Sequence, residues 1–327
     1  MKAKIQARVN SSIKGDLAKA IPLSTPYSVH IDPCSLCNFK CKFCFQSVDN
    51  VSKGTMTDDL FVKIADDLLQ FPDKIRKIKI GLHGEPTLHK HLPAMIWYLK
   101  NKYVILNVSK VANIVELFTN GSLLNPQLNR SIISAGLDRI NISIEGLNTK
   151  EYEEITGTKI DIIKFIENIK HLYDNRGNCK IYIKTINQDK DKFYNMFGNI
   201  CDEIYVENIV PQWAEIGKTK LPKIGMYGQP IKQWKEVCPF PFMYMHFNWD
   251  GSVSPCTLDW KHKVIIGDAN KESAVEIWNG KKLKDLRIKM LKGKRKEIPF
   301  CNKCLAPMVC CEEDLDNDTE ELLRRIK

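Results

Sequence analysis

The sequence predicts an α/β fold: a partial or open barrel of six parallel strands with outer helices, followed by a smaller cysteine-bearing module. Two observations point there. From about residue 28 to residue 210, a short apolar run is repeatedly followed by a helical pattern; after 210 the rhythm breaks at prolines 211, 222, 230, 239 and 241. Such alternation marks βαβ units, whose crossovers place helices outside a parallel sheet. Ligands of these sheets sit at the carboxyl ends of the strands.

Strands are expected at 27–32 (YSVHID), 76–82 (RKIKIGL), 114–119 (IVELFT), 138–144 (DRINISI), 180–186 (KIYIKTI) and 203–209 (EIYVENI). A helix over 57–70 opens at Thr57, with Asp58 and Asp59 in its first turn. Another over 126–135 has Asn125 as N-cap, Pro126 at its first position and Gly136 as its stop. A third, 159–174, puts Ile162, Ile166, Ile169 and Tyr173 on one stripe. The domains then read as an N-terminal extension (1–26), the barrel (27–210), a second module (211–311) and an acidic tail (312–327) ending in a short helix.

At 327 residues, with 43% hydrophobic and 27% charged, the chain is long enough for a sizeable core, and disordered and fibrous classes lose ground. No run approaches the roughly 18 apolar residues of a membrane helix. Residues 1–20 carry five lysines and arginines and no apolar signal core, so the expected address is the cytoplasm. There, thiols stay reduced, and most of the twelve cysteines should be metal ligands or buried. The net charge of +10 is spread out, with local density only in 281–296; Leu283, Leu286, Ile288 and Leu291 make that run an amphipathic helix with a solvated basic face. A nucleic-acid partner is not expected.

Directly after the first strand stands CSLCNFKCKFC, with Cys37, Cys41 and Cys44 spaced C-x3-C-x2-C. Three thiolates on one loop can bind three irons of a cubane and leave the fourth open to a chelating cofactor, unlike the usual four-cysteine site. Zinc is the competing occupant; it would have to recruit Cys34 as a fourth ligand. Further on, Cys238 and Cys256 (C-x17-C) and the pair Cys301 and Cys304 supply four thiolates, enough to close a second cubane. Zinc competes more strongly there, because a closed four-cysteine site is what structural zinc prefers. Gly251, five residues before Cys256, suits a hairpin turn back to that site. Cys179 and Cys201 lie in or beside barrel strands and read as core residues.

CNFKCKFC resembles the signature of the radical S-adenosylmethionine (SAM) superfamily, with the likeness extending over about residues 27–210. The resemblance implies a partial (β/α)6 barrel, a [4Fe-4S] cluster on Cys37, Cys41 and Cys44, and SAM bound at its open iron. GLHGEP (81–86) resembles the family's glycine–glutamate–proline motif, implying that Gly84, Glu85 and Pro86 meet the SAM amino group. LFTNGSLL (117–124) and NISIEG (141–146) imply that Thr119, Asn120, Ser143 and Glu145 line the SAM methionine and ribose. Phe43 is implied at the adenine, and Lys184 at the SAM carboxylate. One departure is KIYIKTINQD, where many members carry a glycine-rich G-x-I-x-G-x-x-E pattern.

The C-terminal cysteines resemble the SPASM module and its shortened form, twitch, as in dehydrogenases of the butirosin-pathway type. Cys310 follows Cys304 at the SPASM-like interval, yet residue 314 is Asp where the next cysteine would fall. One auxiliary [4Fe-4S] cluster is therefore expected on Cys238, Cys256, Cys301 and Cys304, with Cys310 and Cys311 as spares. The resemblance implies an enzyme that makes a 5′-deoxyadenosyl radical, fed by an external one-electron reductant such as flavodoxin or ferredoxin. The leading expectation is oxidation of a secondary alcohol on a sugar, cyclitol or nucleotide-sugar, with the auxiliary cluster accepting the electron. The alternatives are a peptide- or protein-modifying enzyme of maturase type and a zinc-bearing nucleic-acid binder. Candidate substrate residues are His30, Glu207, Trp213, Glu215, His246, Asp259 and Trp260. The sequence singles out none of them as the catalytic base.

Overall fold

The structure is a computed structural model that describes residues 1–9, 15–48, 51–102, 111–186, 188–214, 216, 220–231 and 233–326. All six expected barrel strands form, within a few residues of their expected ends: β2 (Ser28–Ile31), β3 (Ile75–Ile80), β4 (Ala112–Thr119), β5 (Arg139–Ile144), β6 (Lys180–Ile186) and β7 (Glu203–Glu207). They pair in parallel in the order β7-β6-β5-β4-β3-β2.

The sheet continues beyond them at both ends. β1 (Lys4–Ile5), from the segment expected to be a plain extension, pairs in parallel with β7. On the other side β8 (Tyr244–Phe247), in the second module, pairs in parallel with β2 and leads through β9 (Ser252–Ser254) and β10 (Gly267–Asp268) into an antiparallel hairpin edge. The second module is thus joined to the barrel by main-chain hydrogen bonds.

The barrel strands alternate strictly. Val29, Ile31, Ile78, Ile80, Val115, Leu117, Ile140, Ile142, Ile144, Ile181, Ile183 and Ile204 are fully buried and share one core cluster with the buried faces of the helices. Between them, His30, Lys79, Glu116, Asn141, Tyr182, Lys184 and Glu207 fall on the opposite, inner face, because successive side chains on a strand point to opposite sides. The caps are as expected. Thr57 accepts from Leu60 N ahead of helix Asp58–Asp67, and Asn125 accepts from Gln127 N and Leu128 N ahead of helix Pro126–Ser134.

The expected helix 159–174 starts later, at Ile162, after an Asp161 N-cap, and a separate helix Thr149–Thr156 precedes it. Its buried stripe is centred on Phe165, Ile169 and Leu172, with Ile162, Ile166 and Tyr173 at the margins. Helix Lys281–Leu291 buries Leu283, Leu286, Met290 and Leu291; Met290, at i+7 from Leu283, joins the buried stripe in place of the expected Ile288. The tail closes with helix Thr319–Ile326, anchored by buried Leu322.

Candidate active site and cluster sites

The loop after β2 is fixed from three sides. Met56 N bonds to Pro33 O (2.8 Å) and Ser35 N to Gly54 O (3.0 Å). Glu85 N bonds to Leu36 O (2.7 Å), while Lys40 N and Lys42 N bond to Thr156 O (2.8 Å) and Ile155 O (3.0 Å). Gly84 is required by this packing, since a Cβ there would lie 2.5 Å from Cys34 O and 2.6 Å from Leu36 O.

The held loop presents Cys37, Cys41 and Cys44 half-buried. Burial pushes the Cys37 thiol up to about 11 and raises Cys41 and Cys44 as well. Thiols grouped with so little solvation are stable as thiolates only around a cation, which draws off their protons. Cys34 is different. It is fully buried, its thiol is pushed up to about 12, and its S–H donates to Glu85 O (3.2 Å), so it pins the loop.

The expected SAM residues gather beside this loop at the ends of β3, β4, β5 and β6. The Glu85 carboxylate is buried and already satisfied by the protein. It accepts from Thr119 Oγ1 (2.6 Å), Asn120 N (2.6 Å), Thr87 Oγ1 (2.6 Å) and Thr87 N (3.1 Å). Burial raises its pKa, against the pull of those donors. It acts as a joint between the ends of β3 and β4. Asn120 Nδ2 reaches Asn38 Oδ1 (2.9 Å) and stands 4.0 Å from Cys37 Sγ, coupling β4 to the cluster loop.

Ser143 and Lys184 are register partners, and Lys184 Nζ pairs with Glu207 Oε2 at 2.8 Å. Glu145 is raised by burial and by Glu207, against Lys184, and its field in turn raises Cys41 and Cys44. It therefore lies between cluster loop and inner face. Phe43 is 41% exposed, on the outer lip of the loop.

Cys238, Cys256, Cys301 and Cys304 also come together, each raised mainly by burial; Cys238 is further raised by the other three. Arg295, itself buried, donates to Cys304 O (3.2 Å) and favours the thiolates of Cys301 and Cys304. Asp314 accepts from Gln233 Nε2 (2.9 Å). Among the described residues, Asp32, His83 and His246 form a set with all ligand atoms within 4.8 Å.

The remaining candidates divide. Trp213 and Trp260 pack on Phe45, next to Cys44, at 5.0 and 5.4 Å between ring centres, and Trp260 Nε1 donates to Ala214 O. Asp259 accepts from Lys263 N (3.0 Å) and Val264 N (2.6 Å), holding the turn after Cys256. His246 bonds to Asp32. Those four are thus engaged in the protein's own framework. Glu215 lies outside the described residues. His30 and Glu207 do face the barrel interior.

Several interior groups escaped the sequence reading. Arg8, from the N-terminal segment, stands 5.1 Å over the Phe118 ring and donates to Tyr227 Oη (2.8 Å). Lys79 is pushed down to about 7 by burial and by Arg8. Buried atoms without a hydrogen-bond partner include both ring nitrogens of His30, Tyr182 Oη, Glu207 Oε1 and Arg8 Nε. Charged residues inside a βαβ strand, as in RKIKI, were the available signal.

A family model described as the radical SAM superfamily matches residues 31–197, and an iron–sulfur cluster-binding SPASM domain model matches 238–305. A tungsten-containing aldehyde ferredoxin oxidoreductase cofactor-modifying protein of Pyrococcus furiosus is 24% identical over 326 residues, 86% of this chain and 88% of that protein. Probable GTP 3′,8-cyclases match more locally: that of Methanococcus vannielii is 36% identical over 129 residues, and the match spans 39% of each chain. Among solved structures, BtrN in complex with AdoMet and 2-DOIA superposes with TM-score 0.57 and 18% identity over 89% of this chain and 97% of its own. SuiB of Streptococcus suis bound to S-adenosylmethionine gives 0.62 and 17% over 83% and 70%.

Proposed function

Since the chain belongs to the radical SAM superfamily and carries a SPASM module, we propose that it oxidises a secondary alcohol of a small sugar, cyclitol or nucleotide-sugar. Cys37, Cys41 and Cys44 would hold the SAM-binding [4Fe-4S] cluster, and Cys238, Cys256, Cys301 and Cys304 one auxiliary cluster. When bound, cluster and SAM supply the 5′-deoxyadenosyl radical that takes a substrate hydrogen; the auxiliary cluster is the proposed acceptor of the electron left behind.

One observation carries the substrate class. The inner face of the barrel holds His30, Tyr182, Glu207 and Arg8 with buried polar atoms that no protein group satisfies. Such atoms ordinarily find a partner, and a compact, hydroxyl-rich molecule can give hydrogen bonds to several at once. In this reading Glu207 Oε1 would accept the alcohol proton, while Lys184 pairs with the other carboxylate oxygen. Glu145 and Lys184, at the ends of β5 and β6, are proposed to face SAM from the side opposite Glu85. Phe43, Gly84, Pro86, Thr119, Asn120 and Ser143 would complete its site.

The test is anaerobic incubation of reconstituted enzyme with SAM, a reductant and panels of cyclitols, aminosugars, nucleotide-sugars and peptides. Equal amounts of 5′-deoxyadenosine and ketone, with a Glu207→Gln variant that turns over at least about tenfold more slowly, are the expected result. Product at unchanged oxidation state sinks the dehydrogenase reading. The Pyrococcus relative is described as modifying the cofactor of a tungsten-containing oxidoreductase, which makes cofactor molecules the second class to include.

A further inference from the structure

We propose that Asp32, His83 and His246 hold a divalent first-row transition-metal ion, separate from both iron–sulfur sites. Asp32 follows β2, His83 lies in the loop after β3, and His246 is on β8; all three are buried. Asp32 Oδ2 is 2.7 Å from His246 Nε2 and 3.4 Å from His83 Nδ1, and the three ligand atoms lie within 4.8 Å of one another. Two imidazoles and a carboxylate on one side of an ion, with other positions open, is a ligand set that iron, zinc and related metals accept.

The hydrogen bonding of His83 argues for the cation. His83 Nε2 is 2.5 Å from Thr257 O, and a carbonyl can only accept, so that nitrogen carries the proton. A neutral ring then turns the lone pair of Nδ1 toward the Asp32 carboxylate, acceptor against acceptor. A second proton or a metal ion between them would relieve that opposition, and at 3.4 Å the pair stands wider than a charge-assisted N–H···O bond of about 2.7–2.9 Å. Meanwhile the Thr257 contact is the outer hydrogen bond that orients a metal-bound histidine.

Asp32 and His83 also line a cavity of about 430 Å³, which leaves room for water on the open side of the ion. Phe45, beside Cys44, packs on the His83 ring at 5.2 Å, and Thr257 is beside Cys256, so the ion would tie the two cluster loops together. This inference stands whether the substrate is a sugar, a cofactor or a peptide.

The experiment is titration of the anaerobic holoenzyme with Zn²⁺, read by equilibrium dialysis and zinc EXAFS. One ion per chain with a nitrogen and oxygen shell at about 2.0–2.1 Å, imidazole scattering and no sulfur near 2.3 Å is expected. His83→Gln and Asp32→Asn should each weaken it at least about tenfold while iron content and cluster spectra stay at wild-type levels. No stoichiometric zinc in the wild type, zinc bound by sulfur alone, or undiminished binding in both variants overturns the proposal. If a variant loses its clusters, the wild-type EXAFS decides alone.

Discussion

The first cysteine site draws three thiols from a single loop, Cys37 to Cys44, whereas the second draws four from segments spread between Cys238 and Cys304. The loop is held by main-chain bonds from the ends of neighbouring elements, with the Glu85 carboxylate joining β3 to β4 behind it. The second site depends on β8 pairing with β2 and on Arg295 bracing Cys304. A compact loop with one ligand missing favours an exchangeable partner; a gathered, complete set favours a closed cluster.

Cys41→Ala should have the largest effect, taking SAM cleavage to background while leaving the auxiliary cluster and its iron in place, because the radical chemistry belongs to the cofactor and not to the side chains. Iron content and 5′-deoxyadenosine formation check this; a parallel loss of both clusters would erase the distinction between the sites. Cys256→Ala comes next. SAM cleavage should persist, uncoupled, while oxidised product disappears, as read by the ratio of 5′-deoxyadenosine to product.

Glu85→Ala should weaken SAM binding and also destabilise the protein. It strands the buried donors Thr119 Oγ1 and Asn120 N, at about 1–3 kcal/mol each. Thermal unfolding of the holoenzyme reads it, and an unchanged Tm would deny Glu85 its role as a joint.

The smallest effect is a pH dependence inside the barrel. Lys79 has its folded pKa lowered to about 7, first by burial and then by Arg8 and Lys77, with Glu116 opposing. An unfolded lysine keeps its proton to about 10.4. Between pH 7 and 10 the unfolded chain therefore binds more protons, and stability attributable to this group rises with pH. Lys79→Met should exceed the wild type in stability most below pH 7, with the margin narrowing toward pH 10. A margin constant across that window contradicts the assigned burial of charge.

The six barrel strands were legible because each couples an apolar run to a capped helix, and the first cysteine site because its spacing is local. β1 was not, since two residues carry no periodicity. β8 was hidden because Pro239 and Pro241 stand just before it, and they mask the alternation in YMHF. The partnership of Asp32, His83 and His246 joins residues from distant strands, and nothing in HID or GLHGEP announces it. The pairing of Lys184 with Glu207 likewise exists only through the register of β6 on β7.

The proposed open first site and closed second one are told apart most directly by anaerobic iron quantification with Mössbauer spectroscopy. The comparison is wild type against a Cys37→Ala, Cys41→Ala, Cys44→Ala variant, with and without SAM. The expected result is roughly eight irons per chain in the wild type, with SAM perturbing one cluster, and roughly four in the variant, with SAM perturbing none. Twelve irons, or a remaining cluster that still responds to SAM, would contradict it.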